Sequence, residues 1–528
     1  ASVIIIATFC SLPLLSVYGS WAFDGSRHWQ HLLSTQLPTL FTNSFLMIIT
    51  VCLTTLFIGV PAAWILNMSD LPGRKLISKL MILPLAFPAY VLGFVYSGLL
   101  AFSGPLPTYL RNQGLGGILP SFHGYIGASS VLSLALFPYV YILAAGAFKS
   151  QGKRYFEVGR SLGETPKSLF FRIALPTASP FILSSMLLVA METMADFGTV
   201  SVMGYQTFTT AIYKAWFGFF SPETAGQLAS VLITIMFLMI LIKNRISSGK
   251  NYSSLGGDGS AVINLKAWQI VVSYFFIAIV LTLALIIPIW QLGSWIASLD
   301  TQLITNNFQY IINSLTVAAI TAFVTVLFSL LMIFVHRLFQ LNFGIKALIA
   351  IANLGYSIPG SVLAIGLFIP LVALDHKIAD AVLLATGKEV GLIITGSAVI
   401  LILGLAVRFI AISYNTLSSH SHRIATHVDD VTAVYGYTGI ARLTKVYIPL
   451  FSRPLRIGAI LVFIEVLKEM PLTLMTRPFN WDTLSVKIYE FTSEGEWERA
   501  AFPAMLLVII GLVPLIMFDP LETRNNKS

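Results

Sequence analysis

Residues 157–176 read EVGRSLGETPKSLFFRIALP, and residues 430–449 read DVTAVYGYTGIARLTKVYIP. In each stretch an acid (Glu157, Asp430) is followed by a glycine (Gly163, Gly436), then by a β-branched residue (Ile173, Val446), then by Leu175-Pro176 or Ile448-Pro449 at the same spacing. Glycine gives the left-handed backbone that lets a chain reverse between two short helices, and proline fits the first turn of the helix that follows. An acid suits the positive end of the first helix. One such stretch is an ordinary loop, whereas two in register point to a duplicated chain.

The duplication extends outward from these loops. Asn43 and Ser44 recur as Asn313 and Ser314, Pro88, Val91 and Leu92 as Pro359, Val362 and Leu363, Glu192 as Glu465, and Asp196 as Glu469. The chain has 528 residues, 56% hydrophobic and only 10% charged, too few charges to clothe two soluble domains of this size. Runs long enough to cross a bilayer predict spans near 2–18, 41–66, 80–102, 125–148, 177–198 and 225–242, and again near 267–290, 309–335, 346–372, 390–413, 454–475 and 499–518. The expected fold is all-α and polytopic, with about twelve transmembrane helices. Equivalent positions lie six spans apart, so the repeats are parallel and related by an axis along the membrane normal. The expected halves are residues 1–246 and 265–528, joined by a Gly/Ser-rich cytoplasmic linker at 247–264.

Charge sets the expected orientation. The segments 67–79, 149–176, 243–266, 336–346, 414–456 and 519–528, which include the two quoted loops, carry 22 of the 32 Lys and Arg residues, and the opposite loops carry eight. The basic face is therefore read as cytoplasmic, with both termini on it. Residues 1–17 lack a basic leader and a cleavage site and are read as a span. The net charge of +9 is spread between apolar runs and does not form a nucleic-acid patch. Cys10 and Cys52 fall in different spans, which argues against a disulfide framework or a zinc site. The chain has no G-x-x-x-x-G-K-[ST] phosphate loop, so nucleotide is expected to bind elsewhere.

The quoted loops resemble the EAA motif of ABC importer permeases, with departures at the alanines in both copies and Asp for Glu in the second. That resemblance implies a type I importer fold, in which loops near 153–176 and 427–449 dock on two copies of a cytoplasmic ATPase that binds ATP and Mg. This chain would then carry no cofactor and no enzymatic site. Residues 191–217 and 465–489 further resemble ferric iron permeases that carry both halves on one chain. This likeness implies a bacterial inner-membrane protein supplied by a periplasmic iron-binding protein.

Six ionisable residues fall inside predicted spans, where each is costly unless it faces protein or water. Glu192 with Asp196, and Glu465 with Glu469, are four residues apart and are expected to share a helix face. They are candidate substrate-pathway groups, since carboxylates suit a hard cation such as ferric iron. The alternative is structural: Lys468 neutralises Glu465, Arg408 pairs with another acid, and the rest bond between helices. His420, His422 and His427 match no metal-ligand spacing and read as a solvated loop. The aromatic run Phe208–Phe220 reads as an outer interfacial segment, and Glu490–Glu498 as a solvated acidic face. Rival functions are import of thiamine, a polyamine or an oxyanion, or secondary transport without ATP.

Overall fold

The computed structural model describes residues 2–22, 26–114, 122–150, 161, 163, 165–248, 263–299, 307–338, 343–421, 424, 427–437 and 439–517. Glu157, His422 and most of the Gly/Ser-rich linker lie outside the described residues.

Among the described residues, eleven helices are long and apolar enough to cross a membrane: Ser2–Ala22, Leu37–Met68, Ala89–Asn112, Gly124–Lys149, Lys167–Ala195, Pro222–Ile242, Ala267–Ala297, Phe308–Leu338, Gly360–Thr386, Ala398–Ser421 and Trp497–Leu515. The span expected at 454–475 is instead two pieces, Ser452–Lys468 of 17 residues and Pro471–Thr476, parted at Glu469. At 1.5 Å per residue the first piece is about 25 Å long, short of the roughly 30 Å hydrocarbon core. The polypeptide completes the depth as a bent pair, which is tolerated where protein buries the break.

The chain forms two compact units. One comprises residues 1–36, 208–233 and 300–490; the other comprises residues 37–207, 234–299 and 491–528. Each therefore joins the inner helices of one sequence half to helices borrowed from the other.

In the first unit the Ser2–Gly19 helix lies on the Gly360–Thr386 helix, with backbones so close that a Cβ at Gly366 would sit 2.5 Å from the Pro13 carbonyl oxygen. Small residues at such crossings are the usual means by which membrane helices gain contact, since lipid supplies no hydrophobic drive between them. Phe9 and Leu12 pack there against Leu367, Leu371 and Ile400. The neighbouring loop is tied down by Asp375, which is 1% exposed. Its carboxylate accepts from the amides of Ile393 (3.1 Å), Ile394 (2.9 Å) and Thr395 (2.7 Å) and from the Thr395 hydroxyl (2.7 Å). The predicted span ended at 372, so this acid escaped the sequence reading; the helix runs on to Thr386 and carries it inside.

In the second unit the Ile287–Ala297 helix packs on Ala89–Leu100. Trp295 stacks on Phe94 at 6.1 Å, and a Cβ at Gly98 would meet the rings of Trp295 and Trp497 at 2.8 and 3.0 Å. The last residues of the linker make a short pairing with the turn after Met68. Ser69 and Ile263 form a parallel bridge, with Ile263 N–H donating to the Met68 carbonyl (2.8 Å) and Asp70 N–H to the Ile263 carbonyl (3.2 Å).

Candidate functional site

The two glycines of the duplicated loops are left-handed, with φ of +80° at Gly163 and +75° at Gly436, and among the described residues neither has an atom within 4 Å of where a Cβ would stand. In the second loop the helix His427–Val434 ends on a hydrogen bond from Tyr437 N–H to the Thr432 carbonyl (3.0 Å). That six-to-one closure around a left-handed residue is the Schellman arrangement. Asp430 lies on this helix, although its side chain, like that of His427, is outside the described residues.

Beyond each glycine the loop enters its span through a π-helical turn, at Phe170–Ala174 and again at Leu443–Tyr447. Ile173 and Val446 sit in these turns. Leu175-Pro176 and Ile448-Pro449 open the helical segments that follow. A proline cannot donate to the carbonyl four residues back and crowds it, and a widened turn relieves both problems. The first loop thus runs unbroken into Leu175–Ala195, while the second breaks once more at Phe451 before Ser452–Lys468.

Aromatic rings anchor each turn to the spans. Trp64 meets Phe148 and Phe170 edge-on, at 5.4 and 4.9 Å. At the repeat-equivalent place, Phe334 meets Tyr447 edge-on at 5.1 Å, and Tyr447 stacks on Phe451 at 5.9 Å. The guanidinium groups of Arg337 and Arg442 lie 6.0 and 5.9 Å from the Tyr447 ring. His420 packs edge-on against Phe451 at 5.5 Å. The matching positions of Trp64 and Phe334 were available in the sequence as a signal for these anchors.

The intramembrane acids are arranged differently from the expectation of two pairs on helix faces. Glu192 and Glu465 are on their helices, but Asp196 and Glu469 are the first residues past the helix ends, with extended backbone (ψ 130° and 121°). Each carboxylate turns forward to cap the short helix that follows. Asp196 accepts from the Val200 amide (3.1 Å) and the Thr199 hydroxyl (3.0 Å). Glu469, only 5% exposed, accepts from the amides of Leu472 and Thr473 (both 3.0 Å) and from the Thr473 hydroxyl (3.1 Å). The Arg408 Nε lies 4.0 Å from the Glu469 Oε1, and its Nη1 donates to the Ile358 carbonyl at 2.9 Å. Glu465 is half-buried and has no hydrogen-bond or ion-pair partner among the described residues. The two acid pairs belong to different compact units.

The recurring Asn-Ser pair also acquires a purpose. Asn43 donates to the Gln206 carbonyl (2.9 Å), whereas Asn313 donates to the carbonyls of Asn480 (3.0 Å) and Asp482 (3.1 Å). Ser314 accepts from the Leu484 amide at 2.8 Å. In both halves the asparagine thereby holds the loop after the short capped helix. The second of these loops is braced by charge: Arg477 pairs with Asp482 and with Glu490 (2.5 Å), and Lys487 with Asp482 (2.9 Å) and Glu490 (2.7 Å). Nearby, burial raises the Tyr213 hydroxyl to about 12, and Tyr489 adds to the rise.

Burial would raise the Glu490 carboxyl too, yet its hydrogen bond to Lys487 and the charge of Arg477 outweigh that and hold it below the usual range. A carboxyl depressed in the folded state stabilises above its unfolded value of about 4.3 and loses that contribution as pH falls through the folded value. The brace is expected to hold from pH 5 upward and to loosen below about pH 4, read as a smaller protection factor at the Leu484 amide relative to its intrinsic exchange rate. Equal protection at both pH values would refute the assignment.

Over 526 residues the chain is 24% identical to the Fe(3+)-transport system permease protein FbpB 2 of Haemophilus influenzae, an alignment that spans 98% of this chain and 96% of that one. The family described as binding-protein-dependent transport system inner membrane component matches residues 55–245. Part of the chain is thus similar to this permease family. Two shorter relatives carry other names. The sulfate transport system permease protein CysT of Escherichia coli is 22% identical over 250 residues, 46% of this permease and 87% of its own length. The molybdenum transport system permease protein ModB of Azotobacter vinelandii is 32% identical over 149 residues, 28% and 65% of the two chains. The family's description as an inner-membrane component fits the eleven long apolar helices found among the described residues.

Proposed function

We propose that this permease forms the translocation pathway of an ATP-driven importer for ferric iron delivered by a periplasmic iron-binding protein. Two copies of a cytoplasmic ATPase, holding ATP and Mg, engage the loops around Gly163 and Gly436, and both termini lie on that side. The observation that carries the coupling role is the duplication of one device, a left-handed glycine turn leading through a π-turn and an aromatic anchor into a span. Near-full-length similarity to a protein named for Fe(3+) transport supports the cargo. Movement of either loop reaches its span through Phe170 or Tyr447, because both rings are packed against membrane helices. ATP binding to the partners then favours one arrangement of the permease and its hydrolysis the other.

Of the four candidate pathway acids, Asp196 and Glu469 cap the helices that follow them, whereas Glu192 and Glu465 sit on the preceding helices. Proteoliposomes holding the permease, its ATPase and the binding protein are expected to accumulate ferric iron when ATP is supplied. The Glu192→Gln/Glu465→Gln double variant is expected to assemble and to lose uptake; normal uptake by it removes the pathway role. A second reading, oxyanion import, draws on the sulfate and molybdenum relatives. Molybdate or sulfate uptake in the same vesicles, without iron uptake, would establish it. Uptake by the permease alone would instead favour secondary transport.

A further inference from the structure

The lipid-facing side of the Ala267–Ala297 helix carries its own depth gauge. Trp268 and Trp290 are 63% and 62% exposed, and between them Val271, Val272, Phe275, Ile279 and Ile286 are exposed as well. The two tryptophans are about 33 Å apart along the helix, close to the roughly 30 Å hydrocarbon thickness. Tryptophan rings settle at the level of the headgroups, so Trp268 marks that level in one leaflet.

Cationic groups converge at the same place. The bridge between Ser69 and Ile263 holds the start of this helix against the turn after Met68. The Leu265 amide donates to the Asp70 carboxylate (2.9 Å), and the Tyr274 hydroxyl to the Pro72 carbonyl (2.8 Å). Arg74 is oriented by a bond from its guanidinium to the Ser69 carbonyl (2.5 Å). Lys75 and Lys266 are exposed beside it in the chain and across the bridge. Asp70 is the one acid in residues 67–80 and 263–270, against Arg74, Lys75, Lys79 and Lys266. The result is a fixed positive concentration at headgroup depth, edged by an amphipathic ring.

We propose that the Ser69–Lys75 turn and the first turn of the Ala267–Leu281 helix form a binding site for the headgroup of an anionic phospholipid, with Arg74, Lys75 and Lys266 facing its phosphate and Trp268 at its acyl edge. Backbone pairing, rather than loose side chains on a loop, builds the site, so its charges are already placed when the lipid arrives.

Native mass spectrometry of the detergent-purified full chain, titrated with phosphatidylglycerol and separately with phosphatidylethanolamine, tests it. The wild-type protein is expected to retain phosphatidylglycerol at least tenfold more tightly, and Arg74→Ala/Lys75→Ala/Lys266→Ala to bring the two lipids to near parity. Arg74→Lys is expected to keep the preference. Should the triple variant fail to fold, Lys75→Ala and Lys266→Ala alone are each expected to lower the preference about fivefold. No preference in the wild type, or a preference untouched by the substitutions, overturns the proposal.

Discussion

Replacing Glu469 with alanine is expected to cost the permease about 3 kcal/mol or more of stability. The substitution orphans the amides of Leu472 and Thr473, frees the Thr473 hydroxyl, and leaves the Arg408 guanidinium without its acid. The short helix Pro471–Thr476 then has nothing to fix its direction. Crowding at Gly360 provides a second handle, because a Cβ there would stand 2.4 Å from the Glu469 Oε1. Gly360→Ala should therefore be damaging in the wild-type background and milder beside Glu469→Ala, a coupling that a double-mutant cycle resolves. Thermal unfolding in nanodiscs measures both. Wild-type stability in Glu469→Ala, or additive losses in the cycle, would show that the cap carries little.

The second large effect concerns transport rather than stability. Valine at both Gly163 and Gly436 is expected to reduce uptake at least tenfold while the protein remains in the membrane. Among the described residues the added side chains meet no neighbour. The penalty arises from forcing a β-branched residue to φ near +80°, about 1–2 kcal/mol or more at each site. The loops escape it by leaving the turn, which misdirects the helices before and after. Asparagine tolerates the left-handed region, so the Asn/Asn variant is expected to keep most of the activity. Transport rates per permease molecule in proteoliposomes distinguish the cases. Wild-type rates in the valine pair would mean that the turn geometry does not matter for coupling.

Much of this was legible in the residues. Spans followed from apolar runs, and the turns followed from glycines repeated at matching places. The acids were misread because spacing alone cannot tell a helix from its end. Glu192 to Asp196 and Glu465 to Glu469 each span four positions, yet the helix stops between the members of each pair, and the second acid caps the next helix. A clue did exist. The first half carries Ala89 and the shorter Asp196, whereas the second carries Gly360 and the longer Glu469, so loss of a Cβ accompanies gain of a methylene. The π-turns were hidden for another reason: the prolines that cause them were read as loop ends, although the helix continues through both. Asp375 was missed because its helix outlasts the apolar run that announced it.

The packing of Ser2–Gly19 on Gly360–Thr386 sets a timetable for biogenesis. Pro13 emerges from the ribosome roughly 350 residues before Gly366, which at 5–20 residues per second is a wait of about 20–70 s. During that interval the Ser2–Gly19 helix lacks its Gly360–Thr386 partner, and its sequence, free of any charged residue, suits lipid. The unit that holds it gains residues 300–490 only later, so a ribosome stalled before them would strand a helix that had inserted correctly.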